Sequence, residues 1–278
     1  MIAGLDPQQV SGFLETLGLE EEPLGLFYTD TQPEQGFSPQ AGLLPDAAAE
    51  AKGAVNWGTL FTDFSCVLGN IWRARKQKTA AYFSREHFGC LGGAFYLGYL
   101  KPQLDFIAHY ISSGIPNQLP GEHYLESPEV SRNFFETIDP RPAPARFCVF
   151  KPLSRFVEPE RPELVIFFAR VEILCGLNQL ATFVTNDFEA VQSPFGAGCS
   201  NLVTWPLRYL SQGKLKAVLG GWDPSDRKFL KTDELTFTVP WELFRRLAER
   251  WPESFLTTKT WSIVRKKIAR SKRVWGEE

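Results

Sequence analysis

The chain is expected to fold as an α/β or α+β protein made of two related halves, and three features predict this. First, strand-sized apolar runs precede helical patterns in both halves. Leu24-Gly25-Leu26-Phe27-Tyr28 comes before a stripe through Leu60, Phe61, Phe64, Leu68, Ile71 and Trp72, and Leu164-Val165-Ile166-Phe167-Phe168 comes before a helical segment over 171–183. Second, a cysteine interval recurs: 23 residues separate Cys66 from Cys90, and 23 separate Cys175 from Cys199. Third, the flanks recur. Gly89-Cys90 and Gly198-Cys199 each carry an aromatic six residues on, Tyr96 and Trp205, while Leu68 and Leu177 each lie two residues past the first cysteine. Residues 1–145 and 146–278 are therefore read as diverged copies of one unit, packed about a pseudo-twofold axis.

Residues 8–19 predict a short amphipathic helix, and the strand over 24–28 is bounded by Pro23 and Asp30. The Pro/Gly/Gln-rich stretch 31–53 reads as a loop with a helical turn at 47–52. The stripe from Trp57 predicts a helix to about Lys76, followed by a short strand over 80–83. Cys90 opens a second helix that runs through Leu97 and is closed by Pro102. Residues 112–144, rich in Pro, Gly and Glu, read as the junction between the halves. Strands are expected over 147–150, 164–168, 215–219 and 234–239, the last two around the turn Trp222-Asp223-Pro224-Ser225-Asp226. After the helix over 171–183 comes a loop through Ser193-Pro194-Phe195-Gly196 and a helix opened by Cys199; helices over 241–250 and 261–274 finish the chain.

With 278 residues, 44% of them hydrophobic, the chain can bury a large core. A net charge of −2 argues against a general nucleic-acid binder. Met1-Ile2-Ala3-Gly4-Leu5-Asp6 lacks a basic stretch followed by an apolar one, and the longest apolar run, 164–169, is strand-sized, so a cytoplasmic protein without a membrane span is expected. Five cysteines, an odd number, favour metal or redox use over structural disulfides. No Walker A, G-x-G-x-x-G, H-E-x-x-H or G-x-S-x-G pattern occurs, which leaves nucleotide binding, zinc proteolysis and α/β-hydrolase chemistry without support.

On a helical wheel, Cys66 falls about 160° from its apolar stripe, and Cys175 falls about 160° from the stripe of Ile173, Leu174, Leu177, Leu180 and Ala181. A cysteine kept as a small core hydrophobe belongs on the stripe. Cys90 and Cys199 sit at expected helix N-termini, where amides and the helix dipole favour the thiolate that soft metals require. Zinc sites use close-spaced ligand pairs, absent here, so the expected cofactor is an iron–sulfur cluster of 4Fe-4S type. Its ligands would be Cys66, Cys90 and Cys199, with Cys175 as the fourth; a missing fourth ligand would leave one iron open to a small molecule. Cys148, between Phe147 and Val149, reads as core. Gly92-Gly93 permits close approach of a ligand or of a packed helix. His87 either assists Cys90 or is an ordinary loop histidine, whereas His109 and His123 are scattered. Arg227 either clamps a carboxylate or phosphate or pairs with Asp223 or Glu234. The basic stretch Arg265 to Arg273, with Trp261, Val264, Ile268 and Trp275, reads as an amphipathic helix with a solvated basic face, or as a dock for RNA, an acidic partner or a membrane surface.

At Cys66 and at Phe88-Gly89-Cys90-Leu91-Gly92-Gly93-Ala94-Phe95-Tyr96-Leu97-Gly98 the chain resembles the first half of the prokaryotic family catalogued as domain of unknown function 169. Gly198-Cys199, Pro206, Asp226-Arg227, Asp233-Glu234 and Pro240 resemble its second half, so the likeness spans roughly Pro23 to Pro240. It implies a bacterial or archaeal cytosolic protein, frequent in anaerobes, with no established activity. The expected function is a cluster-binding protein in redox or ligand sensing, or in electron transfer to a redox partner. Two other classes are an enzyme or carrier that binds a small organic ligand between the halves through Cys90, Tyr96 and Arg227, and a structural adaptor with inert cysteines.

Overall fold

The computed structural model describes residues 4–40, 66–100 and 105–276. Its strands are β1 (Leu24–Thr29), β2 (Ala81–Phe83), β3 (Gly114–Ile115), β4 (Leu119–Pro120), β5 (Phe147–Pro152), β6 (Leu164–Arg170), β7 (Val191–Gln192), β8 (Ala217–Gly220) and β9 (Glu234–Pro240). β3 and β4 form a small hairpin; the other seven form one sheet in the order β2-β5-β1-β6-β9-β8-β7. Every pairing in that sheet is antiparallel except β7 with β8. The architecture is therefore a mixed sheet of α+β character.

The helices are α1 (Pro7–Leu17), α2 (Val67–Gln77), α3 (Leu91–Tyr96), α4 (Asp105–Tyr110), α5 (Pro128–Ile138), α6 (Val171–Thr185), α7 (Trp205–Ser211), α8 (Trp241–Arg250) and α9 (Lys259–Trp275). They cover both faces of the sheet, which explains why β6 is apolar at every position from Leu164 to Ala169 rather than at alternate ones. Leu164, Ile166 and Phe168 enter one core with α2, α3, α5 and α7. Val165, Phe167 and Ala169 enter the other with α1, α6 and α8. Gly25 is required in β1 because a Cβ there would meet the Phe156 ring at 2.4 Å. No helix among the described residues is long and apolar enough to cross a membrane.

Most expected elements are present, with ends shifted by a few residues, and three points differ. The helix expected from Trp57 begins at Val67 with Cys66 as its N-cap; residues 57–65, like the loop and helical turn expected over 41–53, lie outside the described residues. The stretch 112–144, read as a junction, holds the hairpin and α5, whose N-cap Ser127 accepts from Val130 N–H at 3.3 Å. The two helices thought to carry matched cysteines, α2 and α6, lie on opposite faces of the sheet. α6 turns its Leu174, Leu177, Leu180 and Ala181 inward, which leaves Cys175 exposed.

Candidate functional site: a buried thiol–carboxyl cluster

Three thiols and one carboxyl gather where helices begin, on the α2/α3/α7 side of the sheet. Cys66 is the N-cap of α2 and Cys90 the N-cap of α3. Cys199 immediately precedes a π-turn over Ser200–Thr204 that runs into α7. Such π-turns recur at functional sites because they displace the backbone by one residue. The carboxyl is Asp226, in a 3₁₀ turn over Pro224–Phe229 that Asp223 starts by accepting from Ser225 N–H at 2.9 Å. Cys66 Sγ donates to Asp226 Oδ1 at 3.9 Å, and Gly198 N–H donates to Asp226 Oδ2 at 2.7 Å. Gly93 N–H donates to Cys90 Sγ at 3.2 Å. All five cysteines are free thiols.

Burial, not the helix dipole, governs these acids. Burial pushes Cys66 up to about 12, aided by the nearby Cys90 and Asp226. Burial raises Cys90 against the opposing amides of Gly93 and Val67. It raises Cys199 well above the usual thiol range, with Cys90 and Cys66 adding to the effect. Burial, then the charge of Asp223, carries Asp226 up to about 7, although the Gly198 amide pulls the other way. The expectation that helix N-termini make Cys90 and Cys199 thiolates is thus corrected: removal from water outweighs one or two amide dipoles.

The remaining expected site residues fall as follows. Cys175 stands outside the cluster, exposed on the far side of the sheet. Gly93 is a packing glycine, because a Cβ would meet Val67 Cγ2 at 2.3 Å and Cys90 Sγ at 3.1 Å, whereas a Cβ at Gly92 would meet only Tyr96 Cε2, at 4.0 Å. Tyr96 is buried, and its ionisation is disfavoured by burial first and then by Cys199, Asp223 and Cys90. The Arg227 guanidinium donates to the carbonyls of Gly221, Lys231, Thr232 and Glu234 and so closes the turn after Asp226. His87 Nδ1 lies 3.0 Å from Pro39 O, and His109 Nδ1 lies 3.2 Å from Gly114 O. Cys148 is fully buried in β5, as expected of a core residue. α9 buries no residue and is tied down by the Lys272–Glu172 ion pair, Arg265 to Thr16 O at 3.3 Å, and Trp261 edge-on to Phe255.

The sequence places Asp226 in a turn and in the Asp226-Arg227 pair of the family resemblance, without a link to the cysteines. Gly198 N–H and the Cys66 thiol make it part of the cluster. Among the described residues, no group of three or more His, Cys, Asp or Glu stands in metal-holding geometry. Beside the cluster lies a cavity of about 260 Å³, with Tyr96 on its wall.

Fold and cluster define a class: an α+β protein with a mixed seven-stranded sheet and three free thiols gathered at helix starts beside one carboxyl. The chain belongs to the family DUF169, described as uncharacterised ArCR, whose match spans residues 13–250. No curated protein and no solved structure matches it.

Proposed function

We propose that Cys66, Cys90 and Cys199 hold a thiolate-ligated iron–sulfur centre, with Asp226 instead of Cys175 beside it, in a protein of redox or ligand sensing or of electron transfer. The observation that carries this reading is the meeting of three free thiols from three helix starts around one buried carboxyl. Burial raises the three thiols above their ordinary range and lifts Asp226 to about 7; a bound cationic centre supplies the charge that stabilises the thiolates and releases their protons. Amides aimed at sulfur, as from Gly93, are the groups that stabilise ligating thiolates and tune cluster potentials. Ligation requires the three sulfurs to close around the metal.

The test is iron and acid-labile sulfide content, with a visible spectrum, on protein purified without oxygen. Cluster-loaded wild type is expected, with a visible absorption that bleaches on reduction. Cys66→Ala, Cys90→Ala and Cys199→Ala should each lose the iron, and Cys148→Ala and Cys175→Ala should keep it. Iron-free wild type with an intact fold, or full iron in all three ligand variants, rules the reading out.

We also propose that the two halves are related by a pseudo-twofold axis normal to the sheet between β1 and β6, with the boundary just past β5. Matched registers support this. Leu24 pairs with Pro152 as Leu164 pairs with Pro240, and Ala81 pairs with Phe150 as Val218 pairs with Thr238. Phe37 makes a parallel bridge to Ala81 as Gln192 does to Val218. On this reading α2 corresponds to α7, each leading into an edge-side strand, so the partner of Cys66 is Cys199. α6, with Cys175, stands outside this correspondence.

A further inference from the structure

We propose that the cavity beside the thiol cluster binds a small organic cation, a quaternary ammonium or a protonated amine. Tyr96, Tyr124, Phe195 and Trp222 give it aromatic walls, Glu122 and Asp223 give it carboxyl groups, and among the described residues no Lys or Arg lines it. Aromatic rings together with carboxylates are the chemistry that replaces the water around a desolvated organic cation. An anion would meet two like charges there, and a neutral apolar guest would bury the carboxylates without a partner. At about 260 Å³ the space lies under the roughly 300 Å³ at which drug-sized pockets begin, so the occupant is small.

The walls are held in place without a ligand. Trp222 Nε1 donates to Ser193 Oγ at 2.8 Å, Phe195 packs edge-on to Phe134 at 5.1 Å, and the Phe195 carbonyl accepts from Trp205 Nε1 at 2.9 Å. Despite this fixing, Trp222 and Phe195 stay 57% and 47% exposed, a costly display of aromatic surface unless something covers it. Tyr96 is only 6% exposed, lines the cavity, and its hydroxyl makes no hydrogen bond among the described residues. Burial, then the charge of Asp223, raises the Glu122 carboxyl above its ordinary value, while the Tyr110 hydroxyl bonds to it. A cation between the two carboxylates removes that repulsion. Because Ala197 and Pro224, two residues before Cys199 and Asp226, line the cavity together with Tyr96, an occupant sits beside the thiol cluster. This inference stands whether or not the thiols carry metal.

The test is calorimetric titration of the full chain with tetramethylammonium and with choline, against the carbon isostere of choline, in which a neutral quaternary carbon replaces the nitrogen. Iron is measured on the same sample. Saturable one-to-one binding of the cations is expected, with the isostere at least about tenfold weaker and with Glu122→Gln and Trp222→Ala each weakening cation binding by about tenfold or more. Both changes lie at the solvent-facing wall, so the fold should tolerate them. No saturable binding at millimolar cation, equal binding of the isostere, or unchanged affinity in both variants overturns the proposal. Iron-free protein that still binds cations sinks the cluster and leaves this inference standing; iron-loaded protein that ignores them does the reverse.

Discussion

Arg75→Ala is expected to cost about 3–5 kcal/mol, because it strands a buried carboxylate. The Arg75 side chain is 5% exposed and that of Glu234 4%. The guanidinium forks onto both Glu234 oxygens at 2.8 and 3.1 Å, donates through Nη2 and Nε to Glu21 at 2.7 and 3.1 Å, and lies 3.8 Å over the Phe168 ring. This one side chain ties α2 to the start of β9 and to the loop before β1. Among the described residues, removing it leaves Glu234 with only the Lys231 amide at 3.3 Å on its carboxylate. For a chain of this size the unfolding midpoint should fall by on the order of 10 °C. Arg75→Lys, which loses the fork, should fall between the two. The double variant Arg75→Met/Glu234→Leu should recover most of the loss, because no unpaired charge then remains. The network also sets an acid limit. Burial alone would raise the Glu21 carboxyl, but Arg75 and Lys231 outweigh it and hold the group below its ordinary 4.5. A carboxyl lowered in the folded state contributes stability above its unfolded value, and that contribution is lost as pH falls through the lower folded one. Wild type should therefore weaken below about pH 4.5, and Arg75→Ala should show less of that slope. Denaturant unfolding across pH 3–7 checks both statements. An Arg75→Ala protein as stable as wild type would show that the buried network carries no net weight.

The sequence made the sheet legible and left the site half hidden, for identifiable reasons. Runs such as Leu164 to Ala169 announce a strand covered on both faces, and the structure buries them on both. α5 was missed although Ser127-Pro128-Glu129 carries an N-cap, a proline at N1 and an acid in the first turn; the prolines and glycines around it drew the reading toward loop. The wheel correctly put Cys175 off its apolar stripe. A wheel, however, shows which way a residue faces on its helix and not which side of the sheet that helix takes. Equal intervals therefore suggested a partner for Cys66 that lies across the sheet. The place of Asp226 was out of reach, since it meets a thiol 160 positions away and an amide 28 positions away. The protonation of Cys90 and Cys199 was misjudged because a helix start is visible in sequence, whereas the depth of its burial is not.

Gly198→Ala should damage the thiol cluster more than any other single methyl group placed there. A Cβ at Gly198 would lie 2.2 Å from Asp226 Oδ2 and 3.1 Å from Leu68 Cδ2, and the amide of this same residue donates to Oδ2. Asp226 cannot retreat from the methyl without giving up that donor. The change thus combines overpacking, about 1–3 kcal/mol, with a buried carboxyl short of a partner, another 1–3 kcal/mol or so. If the carboxyl is the cause, Asp226→Ala makes room, and the double variant Gly198→Ala/Asp226→Ala should cost less than the sum of the two singles. Gly93→Ala should come next, because its Cβ would strike Val67 Cγ2 at 2.3 Å and press on Cys90 Sγ at 3.1 Å. Gly92→Ala is the control: its Cβ would meet only Tyr96 Cε2 at 4.0 Å, and replacing a helical glycine should stabilise α3 by up to about 1 kcal/mol. Thiol alkylation on the folded protein separates local from global effects. Displacing Asp226 takes away the partner of Cys66, so Cys66 should label faster in Gly198→Ala under conditions where Cys148, sealed in β5, stays unlabelled. Equal labelling of Cys66 in Gly198→Ala and wild type would mean that the carboxyl does not hold that thiol, and Asp226 would then have no part in the cluster.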